Sequence, residues 1–263
     1  MLRVGLAQID IKIGNRKANF QRVADWMKAH FKPASDETAI VLPEIWDVGY
    51  DLENAGEIAD PEGNSSAEFL GNLAQKYGVW FIGGSVLAKT KSGVVNRAQI
   101  INPSGKLVNH YDKAHLFPLM DEPDYLKAGN RQCVFDWTGT TAGCVICYDI
   151  RFCEWLRKYA VEGTEVLFVS AEWPKARIDH WKAILRVRAI ENMMFVVACN
   201  RVGESKGTIF GGSSMVIDPW GEILYEGSAE KEEGTFICFD PSKVEEIRKQ
   251  LKVFDMRRPD LYS

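Results

Sequence analysis

Short apolar runs alternate with amphipathic segments along the whole chain, and about a dozen runs stand against some five segments. This alternation is that of an α/β protein. The best-defined runs are Leu2 to Ile9, Ala39 to Leu42, Val79 to Val86, Val94 to Ile101, Gly143 to Cys147, Glu165 to Ser170, Phe195 to Cys199 and Gly234 to Phe239. Helical stripes are carried by Phe20, Val23, Ala24 and Met27, and by Phe69, Leu70, Leu73, Ala74 and Tyr77. The second stripe is opened by a Ser65-x-x-Glu68 capping box and closed by Gly78. Asp179 is placed to cap a helix with Trp181, Ile184, Leu185 and Arg188 inward, and Ser242-x-x-Glu245 repeats the box before Val244, Ile247 and Leu251. Asn102-Pro-Ser-Gly105 and Asp218-Pro-Trp-Gly221 read as hairpin turns. So many strands exceed one doubly wound sheet, which predicts two sheets with helices outside.

A chain of 263 residues, 46% hydrophobic, is long enough to bury roughly 75% of its unfolded surface in one domain. No repeat, low-complexity linker or composition break divides it, so residues 1–263 are expected to form a single domain. The start has no basic region or cleavage site of a signal peptide, and no stretch is apolar enough to span a bilayer. Six cysteines in apolar segments, without paired loop spacings, read as reduced thiols, and a cytoplasmic protein is expected. A net charge of −4 without a Lys/Arg block gives nucleic acid no footprint, and small substrates fit better.

Three runs end on reactive groups. Thr141-Ala-Gly-Cys-Val-Ile-Cys147 ends on a thiol, Ala39-Ile-Val-Leu-Pro-Glu44 on a carboxylate and Lys106-Leu-Val-Asn-His-Tyr-Asp-Lys113 on an amine. Ligands of open α/β sheets bind beyond the carboxyl ends of strands, so all three stand where a substrate is held. A free thiol has a pKa near about 8.5 and needs a partner at neutral pH. The four histidines are His30, His110, His115 and His180; a Cys/His hydrolase would have to recruit His115 or His180, neither of which ends a strand. Glu44, behind Pro43, is expected to be partly desolvated, with a raised pKa, and to accept the thiol's proton. Lys113 favours a thiolate and, with the backbone N–H of Tyr148, stabilises an oxyanion.

Each residue also has a plainer use. A strand cysteine is most often a small core residue, and strand-end Glu and Lys are usually solvated. Cys144-x-x-Cys147 has metal-pair spacing, but strand positions three apart face opposite sides, so no metal is expected. Cys133, Cys153, Cys199 and Cys238 read as core or near-core thiols.

Val41-Leu-Pro-Glu44-Ile-Trp, Tyr111-Asp-Lys113-Ala-His-Leu-Phe and Cys147-Tyr-Asp-Ile-Arg-Phe together resemble the three signature blocks of the nitrilase superfamily of carbon-nitrogen hydrolases. The likeness continues in Ala7-Gln8, Ala171-Glu-Trp-Pro174, Arg188-Ala-Ile-Glu-Asn192, Gly211-Gly-Ser-Ser214 and Arg258-Pro-Asp-Leu-Tyr262. It implies an α-β-β-α sandwich that assembles into homodimers or higher homo-oligomers, with helices and the C-terminal tail at subunit contacts. It implies Glu44 as general base, Lys113 as oxyanion-stabilising cation, Cys147 as the nucleophile of a thioester acyl-enzyme, and no cofactor. A second family glutamate is matched by Glu122, whose alternative is a solvent-facing acid between Asp121 and Asp124. The run Lys113-Ala-His-Leu-Phe-Pro-Leu-Met-Asp-Glu, with Ser170-Ala-Glu-Trp-Pro, looks most like the omega-amidase-like branch, which acts on short dicarboxylic monoamides such as 2-oxoglutaramate and succinamate. Such a substrate carries a carboxylate, for which Arg151 and Arg177 are candidates; Arg151 is assigned rather to the nucleophile turn. Tyr148 and Trp173 are expected to shape the pocket. Ser213 stands where several relatives have histidine, which puts that histidine's contact in doubt. Nitriles or N-carbamoyl amino acids are alternative substrates for the same triad, and a non-catalytic dimeric interaction protein is the remaining reading.

Overall fold

The computed structural model describes residues 1–262. Its strands are β1 (Leu2–Gln8), β2 (Glu37–Val41), β3 (Asp60–Pro61), β4 (Trp80–Thr90), β5 (Gly93–Ile101), β6 (Leu107–Asp112), β7 (Cys133–Trp137), β8 (Thr140–Ile146), β9 (Val166–Ala171), β10 (Phe195–Asn200), β11 (Glu204–Ser205), β12 (Thr208–Ile209), β13 (Met215–Ile217), β14 (Ile223–Glu226) and β15 (Glu233–Phe239). The helices are α1 (Arg16–His30), α2 (Ala55–Ile58), α3 (Asn64–Tyr77), α4 (Glu122–Tyr125), α5 (Cys153–Val161), α6 (Ile178–Asn192) and α7 (Ser242–Gln250). One sheet has the order β15-β1-β2-β4-β5-β6, with β3 beside β4; the other has the order β14-β13-β10-β9-β8-β7. Each has a parallel centre, β1-β2-β4 in the first and β8-β9-β10 in the second, with antiparallel flanks.

The pleat sorts the side chains. Leu2, Val4 and Leu6 of β1 and Ala39 and Val41 of β2 share one buried cluster with Cys144, Ile146 and Phe168 of the second sheet. The intervening Ala7, Ile40 and Leu42 instead join Val23 and Met27 of α1 and Leu70, Leu73 and Ala74 of α3. Strands buried on both faces read as unbroken apolar runs, which is why the sequence shows them so clearly. On the second sheet, α6 buries Trp181, Leu185 and Ala189, one stripe at four-residue spacing, and α5 buries Leu156, Tyr159 and Ala160. The result is the expected α-β-β-α sandwich, with each buried apolar side chain contributing about 1.5–3 kcal/mol.

Several local expectations need correction. The helix after Gly63 starts at Asn64, and its orphan N–H groups are taken by Asp60, which accepts from the N–H of Ser65 and Ser66 at 3.1 and 2.8 Å. Ser65 therefore caps nothing; its hydroxyl donates to Asp60 as well, at 2.7 Å. At α7 the accepting side chain is Asp240, two residues before Ser242, whose N–H it binds at 3.0 Å. Asp179 lies inside the first turn of α6, and that end has no side-chain cap. Helix α5 is absent from the stripes picked out in the sequence. Both hairpin turns form, with Gly105 and Gly221 donating to Asn102 and Asp218 at 2.9 Å. Cys133 and Cys199 are buried as expected, but Cys153 and Cys238 are exposed, on the first turn of α5 and near the end of the edge strand β15.

Candidate active site

Glu44 stands three residues beyond β2, in a loop that the backbone of β4 holds. Gly83 and Gly84 interrupt the β4–β5 register, and Gly84 has φ 58°. A side chain there would run into the Pro43 carbonyl. The bulge lets Ser85 accept from the Ile45 N–H through its hydroxyl at 2.9 Å and from the Trp46 N–H through its carbonyl at 3.0 Å. The Trp46 indole donates to the Gly83 carbonyl at 2.7 Å. Ile45 is held at φ 41°, a strained conformation for a β-branched residue that costs about 1–3 kcal/mol.

Lys113, the first residue after β6, bridges the two glutamates. Its Nζ donates to Glu44 Oε1 and to Glu122 Oε1, both at 2.8 Å, and all three side chains are fully buried. An ammonium has three N–H donors, so one remains. Glu122, on α4, also accepts from the Phe117 N–H at 2.6 Å. It is thus a buried partner of Lys113 and not a solvent-facing acid. The Tyr50 hydroxyl lies 2.7 Å from Glu44 Oε1 and 2.8 Å from Glu122 Oε1, and Asn96 Nδ2 donates to Glu44 Oε1 at 2.9 Å.

The electrostatics correct the sequence reading of Glu44. Burial alone raises its pKa, but the Lys113 charge and hydrogen bonds from Lys113, Tyr50 and the Glu172 N–H outweigh it, and the net pKa is lowered. Glu122 goes the other way: burial and the Glu44 charge raise it against the pull of Lys113. Tyr50 has one hydrogen for two carboxylates, which favours a proton on one of them. Lys113 stays charged, its pKa raised because the two glutamates overcome the effect of burial.

Cys147 is not the last residue of β8, which ends at Ile146; it opens a short 3₁₀ turn and sits at φ 46°. A non-glycine residue in this conformation at a strand-to-turn corner is stored strain that projects the side chain away from the sheet. The corner is held by Asp149. Its carboxylate accepts from the Ile146 N–H and the Tyr111 hydroxyl at 2.9 Å, and from the His115 N–H at 3.0 Å. Arg188 of α6 binds the Ile150 and Arg151 carbonyls at 2.8 and 3.2 Å. Burial, then the Glu44 charge, raises the Cys147 pKa well above the ordinary thiol value in spite of Lys113. The resting group is therefore a neutral thiol, where the sequence reading expected Lys113 to favour the thiolate. His115 is bound to Asp149 at 2.7 Å and stacked on Phe152, and His180 faces Arg151 at 3.4 Å, which leaves neither histidine a bond to Cys147.

Cys147, Tyr148, Trp173 and Arg177 line one narrow cavity together with Phe117, Arg151 and Glu172. The expected pocket residues are thus brought together. Arg151 departs from its expected role: its guanidinium lies 4.8 Å from the Trp173 ring and faces the cavity, and the nucleophile turn is held by Asp149 and Arg188 instead. Arg177 lies over Phe117 at 5.4 Å, and its carbonyl accepts from the Trp173 indole at 2.8 Å. Neither arginine has a carboxylate partner among the described residues. Ser213 turns its hydroxyl to the Gly211 carbonyl at 3.2 Å. Sequence reasoning missed Tyr50, Asn96, Asp149 and Glu172; the last lies inside the quoted Ala171-Glu-Trp-Pro174 block, the one signal that could have marked it.

The sequence and the fold have counterparts among known proteins. A 2-oxoglutaramate amidase of Bacillus subtilis (strain 168) is 43% identical over 260 residues, covering 98% of each chain. The omega-amidase YafV of Escherichia coli (strain K12) is 38% identical over 193 residues, 73% of each chain. Among solved structures, XC1258 from Xanthomonas campestris, a CN-hydrolase superfamily protein, superposes with a TM-score of 0.90 at 29% identity, covering 98% of this chain and 97% of that one. Saccharomyces cerevisiae Nit3, of branch 10 of the nitrilase superfamily, superposes with a TM-score of 0.88 at 28% identity, covering 98% and 96%. The profile of the carbon-nitrogen hydrolase family matches residues 3–249, a span that takes in the thiol, the ammonium and both carboxylates of the buried cluster. This chain belongs to the carbon-nitrogen hydrolase family.

Proposed function

We propose that the protein hydrolyses the terminal amide of a short dicarboxylic monoamide, of the 2-oxoglutaramate or succinamate type, through a thioester on Cys147. The observation that carries the reading is the buried Glu44–Lys113–Glu122 cluster at the exit where Cys147 projects. Glu44 is a carboxylate able to take the thiol's proton as sulfur attacks the amide carbon. The oxyanion that forms is held by the remaining N–H of Lys113 and the backbone N–H of Tyr148, donors fixed before the reaction begins. Glu44 then passes the proton to the amide nitrogen, the carbon–nitrogen bond breaks and ammonia leaves. Water, giving its proton to Glu44, cleaves the thioester and frees the acid and the thiol. Glu122 keeps Lys113 in place and charged.

The substrate class is supported by the two cavity arginines without carboxylate partners and by the names of the relatives. A guanidinium fork matches a free carboxylate, and Arg177 is the proposed receptor, with Arg151 beside it on Trp173. Tyr148 and Trp173 close the walls. Ammonia release from 2-oxoglutaramate, succinamate, glutamine and asparagine, measured side by side, tests this; turnover confined to glutamine and asparagine, or absent from all four, would overturn it.

No helix among the described residues is long and apolar enough to cross a membrane. Six free cysteines support a reducing, cytoplasmic setting. Leu251, Val253, Met256, Leu261 and Tyr262 expose apolar surface along the C-terminal segment, which supports a homodimer built on that face.

A further inference from the structure

Glu172 follows β9 and is fully buried beside the cavity. Its backbone N–H donates to Glu44 Oε2 at 2.9 Å. Its Oε2 accepts from Arg201 Nη1 at 2.7 Å, while Oε1 has no hydrogen-bond partner among the described residues. A buried carboxyl oxygen left unpaired costs about 1–3 kcal/mol, and such groups call for an explanation. Arg201 is itself bound to Asp10 at 3.0 Å, so the carboxyl group is anchored through one oxygen, and the other is left unpaired in a residue that lines the cavity.

Position narrows what a cavity occupant presents to it. Glu172 sits between the reacting end, where it touches Glu44, and the arginine end, where its neighbour Trp173 stacks with Arg151 and binds the Arg177 carbonyl. We propose that Glu172 is a specificity-determining residue whose Oε1 hydrogen-bonds an oxo oxygen on the carbon next to the substrate's free carboxylate. The inference rests on the monoamide reading above and adds the preferred substituent, 2-oxo over unsubstituted or 2-amino.

The charge state fits an acceptor on the substrate. Burial raises the Glu172 pKa to about 8 against the pull of Arg201, helped by the charges of Glu44 and Asp10. The remaining ionisable groups on the cavity wall are Cys147, Tyr148, Arg151 and Arg177. At neutral pH the group is mostly a carboxylic acid, whose O–H donates to an oxo oxygen. Ionised, it repels that oxygen.

The test compares kcat/KM for 2-oxosuccinamate and succinamate by ammonia release, in the wild type, Glu172→Gln and Glu172→Met. The wild type should prefer the oxo substrate at least about tenfold near pH 6.5, and the preference should shrink near pH 9.5. Glu172→Gln, whose amide N–H still donates, should keep the preference at both pH values. Glu172→Met should lose it, read as the ratio of the two kcat/KM values within the same variant. Equal wild-type turnover of the two substrates, or a preference untouched by methionine, overturns the inference and leaves the monoamide reading standing. If Glu172→Met does not fold, a wild-type preference that stays flat across this pH range overturns it. Failure of the wild type on both substrates overturns the monoamide reading itself.

Discussion

The backbone N–H of Glu172 donates to Glu44 Oε2 at 2.9 Å, joining residues 128 apart in sequence and the exits of the two sheets. The other oxygen of Glu44 takes Lys113, Tyr50 and Asn96. Both lone-pair faces of the carboxylate are thus fixed, so its orientation toward Cys147 is set by the sandwich as a whole. As the proposed base, a carboxylate held this firmly needs no reorganisation during proton transfer.

Replacing Cys147 with alanine removes the proposed nucleophile and leaves the strained corner to a residue with less to clash. Ammonia release should fall by about four orders of magnitude or more, with the thermal midpoint within a few degrees of wild type. A residual rate near wild type would exclude Cys147 as the attacking group.

Lys113→Met should both slow the reaction and weaken the fold. Loss of one oxyanion donor lowers kcat by about 10²–10³. Two carboxylates then share a dry site without a cation, and breaking a buried pair in this way destabilises by about 3–5 kcal/mol. Denaturant melts and kcat should move together; normal stability would mean that the glutamates are not held as described.

Tyr50→Phe removes a donor that lowers the Glu44 pKa. The acid limb of the kcat/KM profile should move to higher pH, because Glu44 then gives up its proton less readily. An unchanged acid limb, from rates measured across the acid range, would take Tyr50 out of the electrostatics of the base.

The raised pKa of Glu172 sets a slope in stability. The unfolded group titrates near about 4.3, and the folded one at about 8. Between these values the folded state holds a proton that the unfolded state has lost, so stability falls as pH rises through the window and levels off above it. The difference in unfolding free energy between wild type and Glu172→Gln, followed from acid to alkaline pH, should show this decline. A difference that is flat, or rises with pH, would mean that the buried carboxyl titrates normally.

Arg177→Leu should act on binding. For succinamate KM should rise by about tenfold or more, since a hydrogen bond to a charged group contributes about 1.5–3 kcal/mol. For a neutral amide of similar length KM should barely change. Equal effects on both would assign Arg177 to the wall of the cavity alone.

The candidate reactive residues were legible because each ends or follows a run whose apolar character is local. Glu44, Lys113 and Cys147 could be found from strand exits and signature blocks without any knowledge of distance. Glu122 stood beside Asp121 and Asp124 with the same side-chain chemistry, and only the fold distinguishes it: Glu122 is buried on Lys113, while Asp121 and Asp124 stay exposed. Asn96 was invisible because it meets Glu44 across 52 residues, and Tyr50, six residues from Glu44, because only the fold brings Glu122, 72 residues away, to the same hydroxyl.

The sequence by itself determined the α/β alternation, the two-sheet sandwich and the identity of the thiol, ammonium and carboxylates, because these depend on side-chain type and short-range pattern. Charge state lay beyond it. Near-sequence reasoning sees only the burial of Glu44 and so raises its pKa; Lys113 and the Glu172 N–H, brought in from other strands, reverse the sign. Likewise Arg151 could not be assigned to the cavity, nor Asp149 and Arg188 to the nucleophile turn, until α6 and the loop after β9 were packed against that turn. Electrostatic effects and hydrogen bonds act through space, and the tertiary fold alone sets those distances.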